Sequence, residues 1–203
     1  MTNPSTLDAT GDLAAATAGE LRISGGAANL TIADNIKPGQ LYHAHFRGLI
    51  PTVGDENGTV TVRYKRRLHP LASDQGEGSI ELSAHVPWNV HVYDAAAGIT
   101  ATLTALTLTS LSFDSALADT ALDLPTPLGA VEIRIDGPVR NLRLRRPSGV
   151  PVGVHIVGGA SHIHIDGQEL GAIGPGYRST APTSPNHYTL VIAKAADRLT
   201  VTH

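Results

Sequence analysis

"VHIVGGASHIHI" (Val154–Ile165) repeats the pattern of "LRISGGAANLTI" (Leu21–Ile32). Each is a short alternating strand, a bend of small residues, and a second short alternating strand. The pattern returns more loosely as "IRIDGPVRNLRL" (Ile133–Leu144) and "LVIAKAADRLTV" (Leu190–Val201). "VHVYDAAAGITA" (Val90–Ala101) and "LSFDSALADTAL" (Leu111–Leu122) fit the same register. Before the bend, the apolar positions are Leu21/Ile23, Val90/Val92, Leu111/Phe113, Ile133/Ile135, Val154/Ile156 and Leu190/Ile192. After it they are Leu30/Ile32, Ile99/Ala101, Thr120/Leu122, Leu142/Leu144, Ile163/Ile165 and Leu199/Val201, and only Thr120 departs from the rule. Period-two patterning of this kind specifies strands with one buried face.

The bends begin at Gly25, Asp94, Ser115, Gly137, Gly158 and Lys194, so four consecutive copies are spaced by 21, 22 and 21 residues. A period near 21 residues predicts an all-β, single-stranded β-solenoid, in which neighbouring coils complete one another's core. The alternative is an antiparallel β-sandwich in which each copy is a hairpin. The first interval is long enough for two more divergent copies, with "YHAHF" (Tyr42–Phe46) and "GTVTVRY" (Gly58–Tyr64) as candidates. Residues 1–18 read as a loose polar tail and residues 19–203 as one domain. Within that domain, the Gly- and Pro-rich stretch from Asp166 to Tyr188 reads as a loop excursion.

Composition agrees with thin stacked layers. The 203 residues are 41% hydrophobic but only 4% aromatic, so the core must be built from small and branched aliphatic side chains. The net charge of −3 provides no field for nucleic acid. The basic runs "RYKRR" (Arg63–Arg67) and "RLRRP" (Arg143–Pro147) read as solvated strand faces or turns. Absence of cysteine removes disulfides and thiolate chemistry. The N-terminal stretch has no secretory pattern and no apolar run approaches a membrane span, so the expected location is the cytoplasm.

"ISGGAANLTI", "VGGASHIHIDGQELGAIG" and the terminal "AKAADRLTV" resemble uncharacterised actinobacterial proteins with G-G-A-S-x-L-T-x-[DG]-G repeats. More distantly, they resemble bacterial adhesin-type β-helix domains and the LiaF-like cell-wall-stress proteins. The resemblance covers roughly Gly19 to the C-terminus. It implies a single-stranded β-helix and, for some members, envelope or scaffold roles. It supplies no catalytic constellation.

Strand alternation places His162 and His164 opposite Ile163 and Ile165, on one outward side. His43 and His45 form a similar pair. If the two strands lay side by side, four imidazoles would converge in a metal site. The simpler reading is a half-exposed strand face, and no cofactor is expected. His155 sits at the outward register of Arg134 and His91, in a prospective external column. Tyr177, Arg178 and His187 lie in the excursion, where a ligand or partner contact would fall. His155, His162, His164, Tyr177, Arg178 and His187 are therefore the candidate binding residues. Trp88, the one tryptophan, reads as packing at a coil edge, with sugar stacking as the sharper reading.

The function this pattern favours is a non-enzymatic scaffold or protein-interaction module. Its C-terminal strand "RLTVTH" (Arg198–His203) is expected to be an uncapped edge that self-associates into a homo-oligomer. The alternatives are a small-molecule or glycan-binding module using residues 166–188, and a metal-dependent enzyme using the histidine pairs.

Overall fold

The alternating segments form strands, and among the described residues there is no helix. A computed structural model describes residues 5–14, 16–65 and 76–203. The first strands are β1 (Thr6–Asp12), β2 (Gly19–Ser24), β3 (Ala27–Ala33), β4 (Gln40–Arg47), β5 (Thr52–Glu56), β6 (Thr59–Arg63) and β7 (Glu77–Leu82). The middle ones are β8 (Pro87–Val92), β9 (Ala96–Thr102), β10 (Thr107–Phe113), β11 (Leu117–Asp123), β12 (Ala130–Ile135) and β13 (Val139–Arg145). The last are β14 (Val152–Ile156), β15 (Ala160–Ile165), β16 (Gln168–Ile173), β17 (Tyr177–Arg178), β18 (His187–Ile192) and β19 (Ala196–Thr202).

They build two mixed sheets. One runs β1-β4-β7-β3-β9-β11-β13-β19-β15-β16 and the other β17-β14-β18-β12-β10-β8-β2-β6-β5. Neither closes on itself. Each aligned repeat contributes its first strand to the nine-stranded sheet and its second to the ten-stranded sheet. The two strands of a repeat therefore do not form a hairpin: they pair in parallel with strands of other repeats. Two sheets drawn into one buried apolar cluster keep a sandwich-like layering.

The aligned apolar residues become rows. In one sheet Leu30, Ile99, Thr120, Leu142, Leu199 and Ile163 stand at one level of successive strands, and in the other Leu21, Val90, Leu111, Ile133, Leu190 and Val154 do. All are buried. Each such side chain removed from water contributes about 1.5–3 kcal/mol before entropy is charged against it. Thr120 keeps its place in its row because its hydroxyl donates to the Ala118 carbonyl at 3.0 Å, leaving only methyl and stem toward the core. The bends stack as closely. A Cβ on Gly137 would overlap the backbone of Ser115 and Ala116, and one on Gly158 would come within 2.6 Å of the Lys194 carbonyl carbon.

Several expectations need correction. Residues 1–18 are not a loose tail throughout, because Thr6–Asp12 pairs antiparallel with β4 as the outermost strand. Of the candidate divergent copies, "GTVTVRY" supplies β6, parallel to β2, whereas "YHAHF" lies in β4, antiparallel to both neighbours. The excursion contains structure: Asp166 and Gly167, with φ of 50° and 81°, make the two-residue turn that folds β16 onto β15. β17 then pairs antiparallel with β14. The C-terminal strand is no edge. β19 is flanked on both sides, by β13 and β15, and β18 by β12 and β14. Repeats of equal aliphatic pattern stack in any order, and here the chain leaves an intervening place when it passes from β13 to β14. Trp88 is fully buried, its Nε1–H donating to the Ser83 carbonyl at 2.7 Å, so it presents no face to a sugar.

Candidate interaction surface

The outward side of the ten-stranded sheet is a continuous row. In register stand Asp8, His45, Ser79, Thr31, Thr100, Ala121, Arg143, Thr200, His164 and Glu169. Ten strands at about 4.8 Å spacing extend the row over roughly 43 Å. Most of its members are polar, with Ala121 the exception, because the period-two pattern sends the aliphatic partners inward.

At its β4 end the row crosses a groove of about 510 Å³ lined by Asn29, Thr31, His45, Arg47, Glu77 and Ser79, with Gly78 and Gly98 also on its wall. Gly98 lies close under its neighbour here: a Cβ on it would come within 2.8 Å of Asn29 Oδ1. His45 is held by Asp8, Nδ1 to Oδ1 2.8 Å, and this hydrogen bond lowers the Asp8 carboxyl below its ordinary range. His43 lies between two carboxylates, with Nδ1 3.1 Å from Glu81 Oε2 and Nε2 3.6 Å from Asp8 Oδ1. The result is a surface chain of alternating acid and imidazole across β7, β4 and β1.

The four-histidine metal reading does not hold. β4 and β15 are seven strand spacings apart in the same sheet, about 34 Å at ordinary spacing. Among the described residues, no group of three or more His, Asp or Glu is arranged to hold a metal ion. Nor do His162 and His164 follow simple alternation. His162 has φ 54°, in the left-handed region, and its Nδ1 lies 2.9 Å from Asp197 Oδ1 in β19. His164 remains in the outward row, Nε2 3.9 Å from Glu169 Oε2.

That left-handed residue belongs to a column. Asn29, Gly98, Asp119, Asn141, Arg198 and His162, each at the same place in its repeat, all have positive φ between 48° and 67°. The parallel strands thus jog together at one level, and the register steps over these residues. Asn141 Nδ2 donates to Asp119 Oδ1 at 2.9 Å, linking adjacent members. Four of the six are Asn, Asp or Gly, the types that tolerate this conformation. That signal was present in the aligned repeats, but it reads equally as a tolerant outer position.

The other candidates are scattered. His155 pairs in register with Arg178, and Tyr177 with Ile156, so these three share the β14–β17 edge. The expected column of Arg134 and His155 is interrupted, because β18 places Val191 between them. His187 opens β18 and its Nδ1 donates to the Ser184 carbonyl at 2.8 Å. Two of the three arginines of "RLRRP" are taken up in ion pairs: Arg145 with Asp123 at 2.6 Å, and buried Arg146 in two bonds to Asp166 at 2.7 and 2.8 Å. In "RYKRR", Arg66 and Arg67 lie outside the described residues. On the other sheet, His91 is bonded to Asp114 at 2.7 Å and stacks on the half-exposed Tyr93 ring, centroids 3.8 Å apart.

The fold defines an all-β protein of two mixed sheets. A crystal structure described as a candidate cell adhesion protein from Clostridium sporogenes is similar to it, with TM-score 0.76 and 17% identity over 98% of this chain and 100% of that one. A candidate adhesin from Bacteroides fragilis aligns at 10% identity over 99% of this chain and 98% of that one, but its TM-score of 0.44 carries no argument. At 17% identity the likeness extends to the fold alone. No family model matches the sequence, and no curated protein matches it. Among the described residues, no helix is long and apolar enough to cross a membrane.

Proposed function

We propose that this chain is a β-solenoid interaction module whose contact surface is the outward face of the ten-stranded sheet. The observation that carries the reading is the ten-strand polar row. Parallel in-register pairing of repeats supports the solenoid description, with one strand of each repeat per sheet. A rigid core holds the row's side chains at fixed spacing, which lowers the ordering cost of engaging a partner. The likeness to a candidate cell adhesion protein fits adhesion as a narrower form of the same role.

The test is a pair of charge substitutions on outward positions, Thr31→Glu and Thr100→Glu, made together. They leave the core rows untouched, so the fold should persist by circular dichroism. Partners crosslinked by the wild-type chain in its native extract should be lost from the double variant. Unchanged capture, with the fold intact, would remove this face from the proposal.

A further inference from the structure

We propose that the groove lined by His45, Arg47 and Glu77 binds a short neutral oligosaccharide. The inference rests on the reading of the ten-stranded sheet's outward face as a contact surface, and it names what is contacted there.

The groove lies at a border in the sheet. β3, β9, β11, β13, β19 and β15 share the left-handed column that starts at Asn29 and Gly98, whereas β7 and β4 contain no residue of positive φ. The common jog of the strands therefore stops between β3 and β7. β7 is also sunk. Gly78 faces inward, and a Cβ on it would come within 2.6 Å of the Phe46 ring, so only glycine lets the backbone settle there. The lowered floor crosses β4, β7, β3 and β9, about 14 Å at ordinary strand spacing. With a volume of about 510 Å³ it has room for linked sugar rings.

The walls select the class of ligand. Arg47 and Glu77 are register partners, yet among the described residues neither is taken up in an ion pair or hydrogen bond. The hydroxyls of Thr31 and Ser79 likewise have no partner among the described residues. His45 is held by Asp8 through Nδ1, which leaves Nε2 for a ligand. Donors, acceptors and hydroxyls thus stand side by side, the set that pairs with groups that are themselves both donor and acceptor. A peptide finds little to hold. No Leu, Ile, Val, Phe, Tyr or Trp lines the groove, and β4, β7, β3 and β9 are each paired on both sides, so no strand can be added. An anionic polymer meets no excess of cation, because Glu77 and Asp8 offset Arg47 and His45.

The full chain is passed over immobilised neutral oligosaccharides, hexose and N-acetylhexosamine chains in α and β linkage, with polygalacturonate and heparin fragments as anionic arms. Expected is saturable retention on a neutral chain, weakened at least about tenfold in Arg47→Ala with Glu77→Ala, which lose two charge-assisted contacts. Thr31→Val keeps the strand shape and removes one hydroxyl, so it should weaken the same retention severalfold even if the double variant does not fold. Glu132→Ala with Arg134→Ala, the same residue types on the outward side of the other sheet, should bind as wild type. Silence across the neutral arms, retention on the anionic arms alone, or retention unchanged in the groove variants overturns the proposal. Silence together with lost partner capture in Thr31→Glu with Thr100→Glu refutes the saccharide and leaves the face a contact surface. Groove-dependent retention with unchanged partner capture upholds the saccharide and removes the wider face.

Discussion

At the scale of single residues, backbone sign matters as much as side-chain chemistry. His162 occupies a left-handed position that costs an ordinary residue about 1–2 kcal/mol. His162→Gly should therefore be neutral to slightly stabilising. His162→Val should lose about 1–2 kcal/mol, because a β-branched side chain is worst placed there. Urea unfolding that ranks valine level with glycine would contradict the left-handed assignment. A second prediction concerns Asp166, whose carboxyl the Arg146 guanidinium holds below the usual carboxylate range. A depressed folded pKa means that this pair's stabilisation is complete above the unfolded value near 3.9 and is lost as pH falls through the folded one. Asp166→Asn should accordingly flatten the acid limb of stability against pH. At neutral pH it should cost about 2 kcal/mol or more, since Arg146 stays buried without its counter-charge. Urea titrations at pH 3 and pH 7 check both parts. The left-handed column was half legible in Asn29, Gly98, Asp119 and Asn141. The burial of Arg146 was not, because Asp166 lies 20 residues away and only the β15–β16 turn brings it close.

At the scale of elements, the bends are the least tolerant part of the chain. The bends at Gly25, Gly137 and Gly158 are stacked on neighbouring backbone, which cannot give way as a flexible side chain would. Gly137→Ala should cost about 3 kcal/mol or more by overpacking, read as a lowered midpoint in denaturant. An alanine there as stable as wild type would mean that the bends do not touch. The strand rows were legible in the sequence, since every aligned apolar position but the partly buried Ile165 became buried, and Thr120 joined them. The roles of β1 and β16 were not. Both are edge strands with few buried positions, "TLDATGD" and "QELGAI", so their hydrophobic pattern is too weak to announce them. The exposed polar positions of β1, and the shifted register of β16, blunt the open edges on which a neighbouring chain would pair.

At the scale of the whole molecule, strand order decides which parts are protected. β18–β19 lies inside both sheets although it ends the chain, so its amides should exchange with solvent as slowly as those of β12–β13. β1, β5, β16 and β17, at the sheet edges, should exchange fastest. Hydrogen exchange read by mass spectrometry tests this ordering, and a rapidly exchanging β19 would contradict the interior placement. By itself the sequence determined the repeat, its bends, the inward rows and the all-β class, because these rest on local alternation and on contacts that every copy makes alike. The order of stacking, the separation of the two histidine pairs, the occupied place of the last repeat and the burial of Arg146 were decided by tertiary structure alone. The physical reason is degeneracy: repeats with the same aliphatic rows pair equally well with any neighbour. Which neighbour each one meets is then set by the reach of the connecting segments and by the few polar clasps that hold them.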